Sequence, residues 1–173
     1  AAGLGPGDEI ITTALTFAAT ANAARYCGAD VRFVDVHADT GNIDPARVAE
    51  AITDRTKLIV AVDYAGHPAD YDALQVIADA HGLCLVGDAA HSLGAAAADG
   101  RRVGTLADLS TFSLHPVKPI TTGEGGAIVT ADPELARRCR DFRNHGMVRD
   151  ASRLSRPDEG PWFYEIAEVG YNY

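Results

Sequence analysis

Cysteine is scarce in this chain. Cys27, Cys84 and Cys139 are odd in number and far apart, and no pair sits at the spacing of a metal knuckle or a redox motif. A disulfide framework is therefore excluded, and the three read as small buried apolar residues in a reducing compartment. Apolar runs of membrane-spanning length are also absent, and no basic segment leads into a hydrophobic signal, so no membrane association is expected and the cytoplasm is the expected location. Basic residues are outnumbered, 15 against 24 acidic, giving a formal net charge of -9. Such a balance opposes nonspecific binding to nucleic acid or an anionic membrane, and a phosphorylated ligand would need local donors. Repeats and low-complexity tracts are missing as well.

What is present is ordinary for a globular protein: 173 residues, 47% hydrophobic and 23% charged, enough for one domain with a sizeable core. The chain opens on Ala1 and stops at Gly170-Tyr171-Asn172-Tyr173 without a closing helix, which reads as an internal fragment.

Short β-rich runs alternate with helical patterns, the arrangement of an α/β sheet covered by helices. Strands are expected at 9–12, 31–36, 57–62, 83–87, 109–113 and 127–130. Thr16 to Tyr26 reads as a helix stopped near Gly28. Asp44-Pro45 and Asp132-Pro133 each place an N-cap before a first-turn proline, opening helices to about Ile52 and Phe142. Tyr71 to His81 carries Leu74, Ile77 and Ala78 on one face, with Gly82 just past its end. The last thirty residues are less regular.

Two segments carry chemistry. Asp88 closes a buried strand in Val86-Gly87-Asp88-Ala89-Ala90-His91, and Lys118 sits in the segment from Ser113 through Gly126, rich in glycine at its end. Pyridoxal phosphate needs a lysine amine for a Schiff base with its aldehyde, and an acidic partner to keep its pyridine nitrogen protonated. Lys118 and Asp88 are the candidates. Alone, the lysine would read as a solvated charge and the aspartate as a turn or helix cap. Asp88 lies at the carboxyl end of its strand, where ligands of open α/β sheets bind. A different class of reading makes Asp88, His91 and His115 ligands of a metal-dependent hydrolase, which leaves Lys118 without a task.

In their order and spacing, Gly7-Asp8-Glu9-Ile10-Ile11-Thr12, Thr16-Phe17, Asp88-Ala89-Ala90-His91, Ser113 to Gly126, and Arg143-Asn144-His145-Gly146 together resemble the DegT/StrS family of PLP-dependent sugar aminotransferases. The resemblance implies an α/β fold: the large domain of the aspartate-aminotransferase type (fold type I) with a mixed, mostly parallel sheet. Residues 1–173 would form its central part, with the start of that domain and the C-terminal small domain missing. It implies that Lys118 holds the cofactor and shuttles the substrate proton, Asp88 pairs with the pyridinium nitrogen, and His91 lies near the ring hydroxyl. Phe17 matches the aromatic that stacks on the ring, and Ser113 the hydroxyl that binds the cofactor phosphate. Asn172 matches an asparagine reaching the phosphate of a neighbouring subunit, which implies a homodimer with shared active sites. His145 lies in a family segment near the site.

A lysine at position 118, where relatives that perform dehydration carry histidine, points to the aminotransferase branch. Val62 to Gly66 and His115 to Gly126 are most similar to enzymes that move an amino group from L-glutamate to C4 of a UDP-linked 4-keto-6-deoxy-N-acetylhexosamine, a pseudaminic acid precursor. The alternatives are an enzyme acting on UDP-4-keto-arabinose and a noncatalytic domain that binds PLP or a sugar nucleotide. The isolated fragment is expected to be inactive.

Overall fold

A computed structural model describes residues 1–172; Tyr173, the last residue of the Gly-Tyr-Asn-Tyr segment, lies outside the described residues. The chain divides into two compact units, Ala2–Ala131 and the segment from Asp132 onward.

In the first unit, β1 (Glu9–Thr13), β2 (Asp30–Val34), β3 (Thr56–Val62), β4 (Cys84–Asp88), β5 (Leu109–Ser113) and β6 (Gly126–Val129) form one sheet in the order β2-β1-β3-β4-β5-β6. The first five strands pair in parallel, and β6 returns antiparallel along β5. The expected strands agree with these within one or two residues at each end.

The helices begin where the caps place them. Asp44 accepts from the Ala46 amide at the start of α2 (Pro45–Ala51), with proline in the first turn. Asp70 accepts from the Ala73 amide at the start of α3 (Tyr71–His81), and Gly82 closes that helix in the left-handed region at φ 62°. The first helix, α1 (Ala18–Tyr26), starts two residues later than its pattern suggests. Thr16 and Phe17 belong to the approach, and Phe17 is the residue at the N-cap.

Alternation along the strands divides the core between the two faces of the sheet. Ile10, Leu58 and Val60 bury one face with Ala24 of α1 and Ala29. Ile11, Ile59, Ala61 and Leu85 bury the other with Val48 of α2 and Leu74 and Ala78 of α3. The chain leaves the carboxyl end of β1 for a helix on one face, and that of β3 for a helix on the opposite face. Adjacent strands whose connections diverge in this way open a crevice at their carboxyl ends.

The opposite end of the sheet is locked by a buried carboxylate. Glu9, 3% exposed, accepts two bonds from Arg32 at 3.0 and 3.1 Å, and others from Thr53 and Thr56 at 3.1 and 3.3 Å. Burial pushes its pKa up, but these donors and the Arg32 charge outweigh burial and hold it below the ordinary value. A depressed folded-state pKa stabilises the fold above the unfolded value of 4.5, and that contribution is lost as pH falls through the folded value. Glu9→Gln is therefore expected to cost about 2 kcal/mol at neutral pH. Urea unfolding should show the difference shrinking in acid.

The second unit holds α4 (Pro133–Arg143), started by Asp132 accepting from the Glu134 and Leu135 amides, and a short antiparallel pair, β7 (Met147–Val148) with β8 (Glu165–Ile166). Arg153 and then Arg137 hold the Asp141 carboxyl below the usual range. Gly146 has no room for a side chain, because a Cβ there would lie 1.9 Å from the Glu168 carbonyl oxygen.

The cysteines depart from expectation. Cys27 is exposed, and Cys84 and Cys139 are only partly buried; no disulfide joins them. Cys27 follows directly on the last turn of α1, where the helix leaves the sheet.

Candidate active site at the carboxyl ends of the central strands

Asp88 ends β4, the strand between β3 and β5, and pairs in register with Val62 on one side and Thr111 on the other. Gly87 before it admits no side chain, because a Cβ would meet the Tyr71 hydroxyl at 2.7 Å. The carboxylate is half-buried. Its Oδ2 accepts a 2.6 Å bond from Thr20 Oγ1 and its Oδ1 a longer one, 3.3 Å, from the Ala90 amide. Thr20 projects from the first turn of α1, so the helix following β1 reaches across to the end of β4.

A second carboxylate stands beside it. Asp63, 1% exposed, follows β3 and accepts from the Ala69 amide at 3.0 Å, the Tyr71 hydroxyl at 2.8 Å and the Ser92 hydroxyl at 2.5 Å. Burial is the main reason its pKa rises; its three donors oppose the rise and the charge of Asp88 adds to it. Burial and the same two carboxylates push the Tyr71 phenol up as well. Asp63 thus ties the turn after β3 to the segment after β4. Ala65 in that turn stands at φ 52°, a strained value for a residue with a side chain. Buried Asn42 braces the turn, donating to the His67 and Pro68 carbonyls and accepting from the Tyr64 amide.

Lys118 lies in the loop between β5 and β6. Within it, the Lys118 amide donates to the His115 carbonyl at 2.9 Å, and Leu114 bonds through its backbone to Gly125 and Thr122 at 2.8 and 3.1 Å. These bonds gather the loop against the end of β5. The Lys118 side chain is half-buried, and its amine has no hydrogen-bond or ion-pair partner among the described residues. Ser113, the last residue of β5, lies two residues beyond the partner of Asp88, and its hydroxyl accepts from the His115 amide at 3.4 Å.

The remaining candidates are at the surface. The His91 side chain is exposed, while its carbonyl lies against Gly66, 3.0 Å from where a Cβ would stand. Phe17 is 79% exposed, so it is no part of the core and has a ring face free to stack. Asn172 is exposed in the second unit and bridges to Asn144. Among the described residues no three His, Cys, Asp or Glu side chains gather in a way that could hold a metal ion. Asp88, His91 and His115 therefore do not form the ligand set weighed from the sequence.

The donor set suits pyridoxal phosphate. An unpaired amine answers the aldehyde, a carboxylate fixed by a hydroxyl answers the pyridinium, and an exposed aromatic suits the ring face. Sequence reasoning missed Thr20 and Asp63. Thr20 was visible only as a hydroxyl one helical turn after Thr16, and Asp63 only as a second acidic residue just after a strand.

The mixed, mostly parallel six-stranded sheet has the α/β architecture of the aspartate-aminotransferase type (fold type I), with these groups at the ends of its strands. The chain belongs to the DegT/DnrJ/EryC1/StrS aminotransferase family, which it matches over residues 1–173. It is 43% identical over 167 residues to the UDP-4-amino-4,6-dideoxy-N-acetyl-beta-L-altrosamine transaminase of Campylobacter jejuni, covering 95% of this chain and 42% of that protein. The solved structure of Helicobacter pylori PseC, described as an aminotransferase involved in the biosynthesis of pseudoaminic acid, superposes with a TM-score of 0.85 at 38% identity, covering 97% of this chain and 42% of that one. A putative sugar aminotransferase of Streptococcus pneumoniae, solved in its PLP form, superposes at 0.84 with 32% identity, covering 99% of this chain and 46% of that one. The chain therefore spans less than half the length of these relatives. Pyridoxal phosphate is the cofactor of the family.

Proposed function

We propose that this chain is the central, cofactor-binding part of a PLP-dependent nucleotide-sugar aminotransferase, acting on C4 of a UDP-linked 4-keto-6-deoxy-N-acetylhexosamine on the route to pseudaminic acid, with L-glutamate as amino donor. The observation that carries it is the unpaired Lys118 amine in the loop after β5, next to the strand whose end presents the Thr20-anchored Asp88 carboxylate.

When bound, the cofactor supplies an aldehyde that an amine can capture and a ring that accepts the electron pair left when a proton departs from the substrate carbon. Lys118 Nζ provides the amine. With the cofactor bound, its free amine would take the proton from the donor's α-carbon and later deliver one to C4 of the sugar. Asp88 pairs with the protonated ring nitrogen and so steadies the charge that develops there. Phe17 covers a ring face, Ser113 donates to the phosphate, and His91 neighbours the ring hydroxyl.

Motif position supports assigning Asn172 to the phosphate site of a second subunit, and with it a homodimer with shared sites. The sugar assignment is supported by the likeness of Val62–Gly66 and His115–Gly126 to their counterparts in the altrosamine branch. No helix among the described residues is long and apolar enough to cross a membrane. Cytoplasmic location is part of the same reading, since three cysteines without a disulfide suit a reducing compartment.

To test the substrate, the full-length polypeptide carrying this segment is loaded with pyridoxamine phosphate and mixed with each of several UDP-4-keto sugars. Return of the lysine-bound cofactor spectrum is expected with the 6-deoxy-N-acetyl sugar. Return with the keto-pentose alone would move the protein to the arabinose branch. Retained cofactor with no response to any keto sugar would make it a binding domain.

A further inference from the structure

Asp88 is held by a hydroxyl that the proposed reaction does not use. Thr20 Oγ1 lies 2.6 Å from Asp88 Oδ2, and Thr16 Oγ1 lies 2.7 Å from Thr20 Oγ1. A hydroxyl has a single hydrogen to give, whereas an ionised carboxylate can only accept. Thr20 therefore spends its hydrogen on Asp88 and accepts from Thr16, which fixes the direction of the chain from Thr16 through Thr20 to Asp88. Thr20 is 7% exposed, so water has little access to this bond, and successive bonds of this kind strengthen one another where water is excluded. Oδ1, with only the 3.3 Å contact from the Ala90 amide, keeps capacity for a further donor.

We propose that Thr20, backed by Thr16, is a positioning residue that keeps Asp88 an ionised, correctly turned acceptor, so that the proton of the bound cofactor's pyridine nitrogen stays on the ring. The inference rests on the aminotransferase reading, and within it on Asp88 facing that nitrogen. A donor to a carboxylate favours its charged form. Without the donor, the proton shared between ring and carboxylate is drawn toward the carboxylate, and the ring loses the positive charge that makes it an electron acceptor. A threonine kept only to fill space would be replaceable by valine, which has the same shape and no hydroxyl.

The test loads the full-length protein with pyridoxal phosphate labelled with nitrogen-15 in the ring, whose chemical shift reports whether that nitrogen carries a proton. Wild type and Thr20→Ser are expected at the protonated position. Thr20→Val is expected to move toward the unprotonated position and to lower kcat roughly ten-fold at little-changed KM for the sugar, the scale of a hydrogen bond to a charged group. Thr16→Val should move the shift the same way by less. Asp88→Asn tests the underlying reading: a ring nitrogen that stays protonated in that variant would overturn the assignment of Asp88 itself. If Asp88→Asn moves the shift and Thr20→Val leaves both shift and kcat at wild-type values, the relay is wrong and the Asp88 assignment stands. Should Thr20→Val fail to fold or to retain cofactor, Thr16→Val decides, and an unmoved shift there overturns the proposal.

Discussion

Lys118→Ala is expected to lower turnover by at least about 10⁴-fold, because one side chain serves as both the anchor of the cofactor and the acid and base of the reaction. The spectrum should lose its lysine-bound form while pyridoxamine phosphate still binds, since phosphate and ring contacts are left in place. Stability should change little, within about 0.5 kcal/mol, because the side chain is only half-buried on a loop and has no polar partner to lose. Thermal unfolding measured beside turnover separates this outcome from loss of fold. A variant retaining a tenth of wild-type turnover would remove Lys118 from the chemistry.

Asp88→Asn carries the second large effect. The amide can still accept from Thr20, so the shape of the site survives while its charge is lost. Turnover is expected to fall about 10³-fold, the loss typical of removing an electrostatic stabiliser of a developing charge. The same change should leave the protein no less stable than wild type, because the charge of Asp88 opposes ionisation of buried Asp63 nearby. Lower activity without lower stability is expected of a residue placed for function. Parallel steady-state kinetics and urea unfolding measure both; equal losses in the two would reassign Asp88 to a structural role.

The fold was legible wherever the signal was local. Asp44-Pro45, Asp132-Pro133 and Gly82 set helix ends by bonds between residues two to four apart, and these positions hold in the structure. β5, expected at 109–113, has those same bounds in the structure. Asp88 and Lys118 stood out because their residue types at a strand end and in a glycine-rich loop match a particular chemistry.

What was illegible depends on contacts across the chain. Thr20 and Asp88 are 68 residues apart, and Asp63 and Ser92 are 29 apart. No periodicity announces such a meeting; it arises only once α1 lies over one face of the sheet and the turn after β3 folds over on the other. The exposure of Phe17 and Cys27 follows from the same packing. Phe17 stands just ahead of the helix, and Cys27 just past its last turn.

Every role assigned at the site depends on Lys118 carrying the cofactor. Borohydride reduction of the full-length, PLP-loaded protein, followed by proteolysis and peptide mass mapping, tests it most directly, because reduction makes the lysine linkage permanent. The expected result is a phosphopyridoxyl group on the peptide holding Lys118, abolished in Lys118→Ala. The same group on Lys57, the chain's other lysine, or on no residue of this segment would contradict the account.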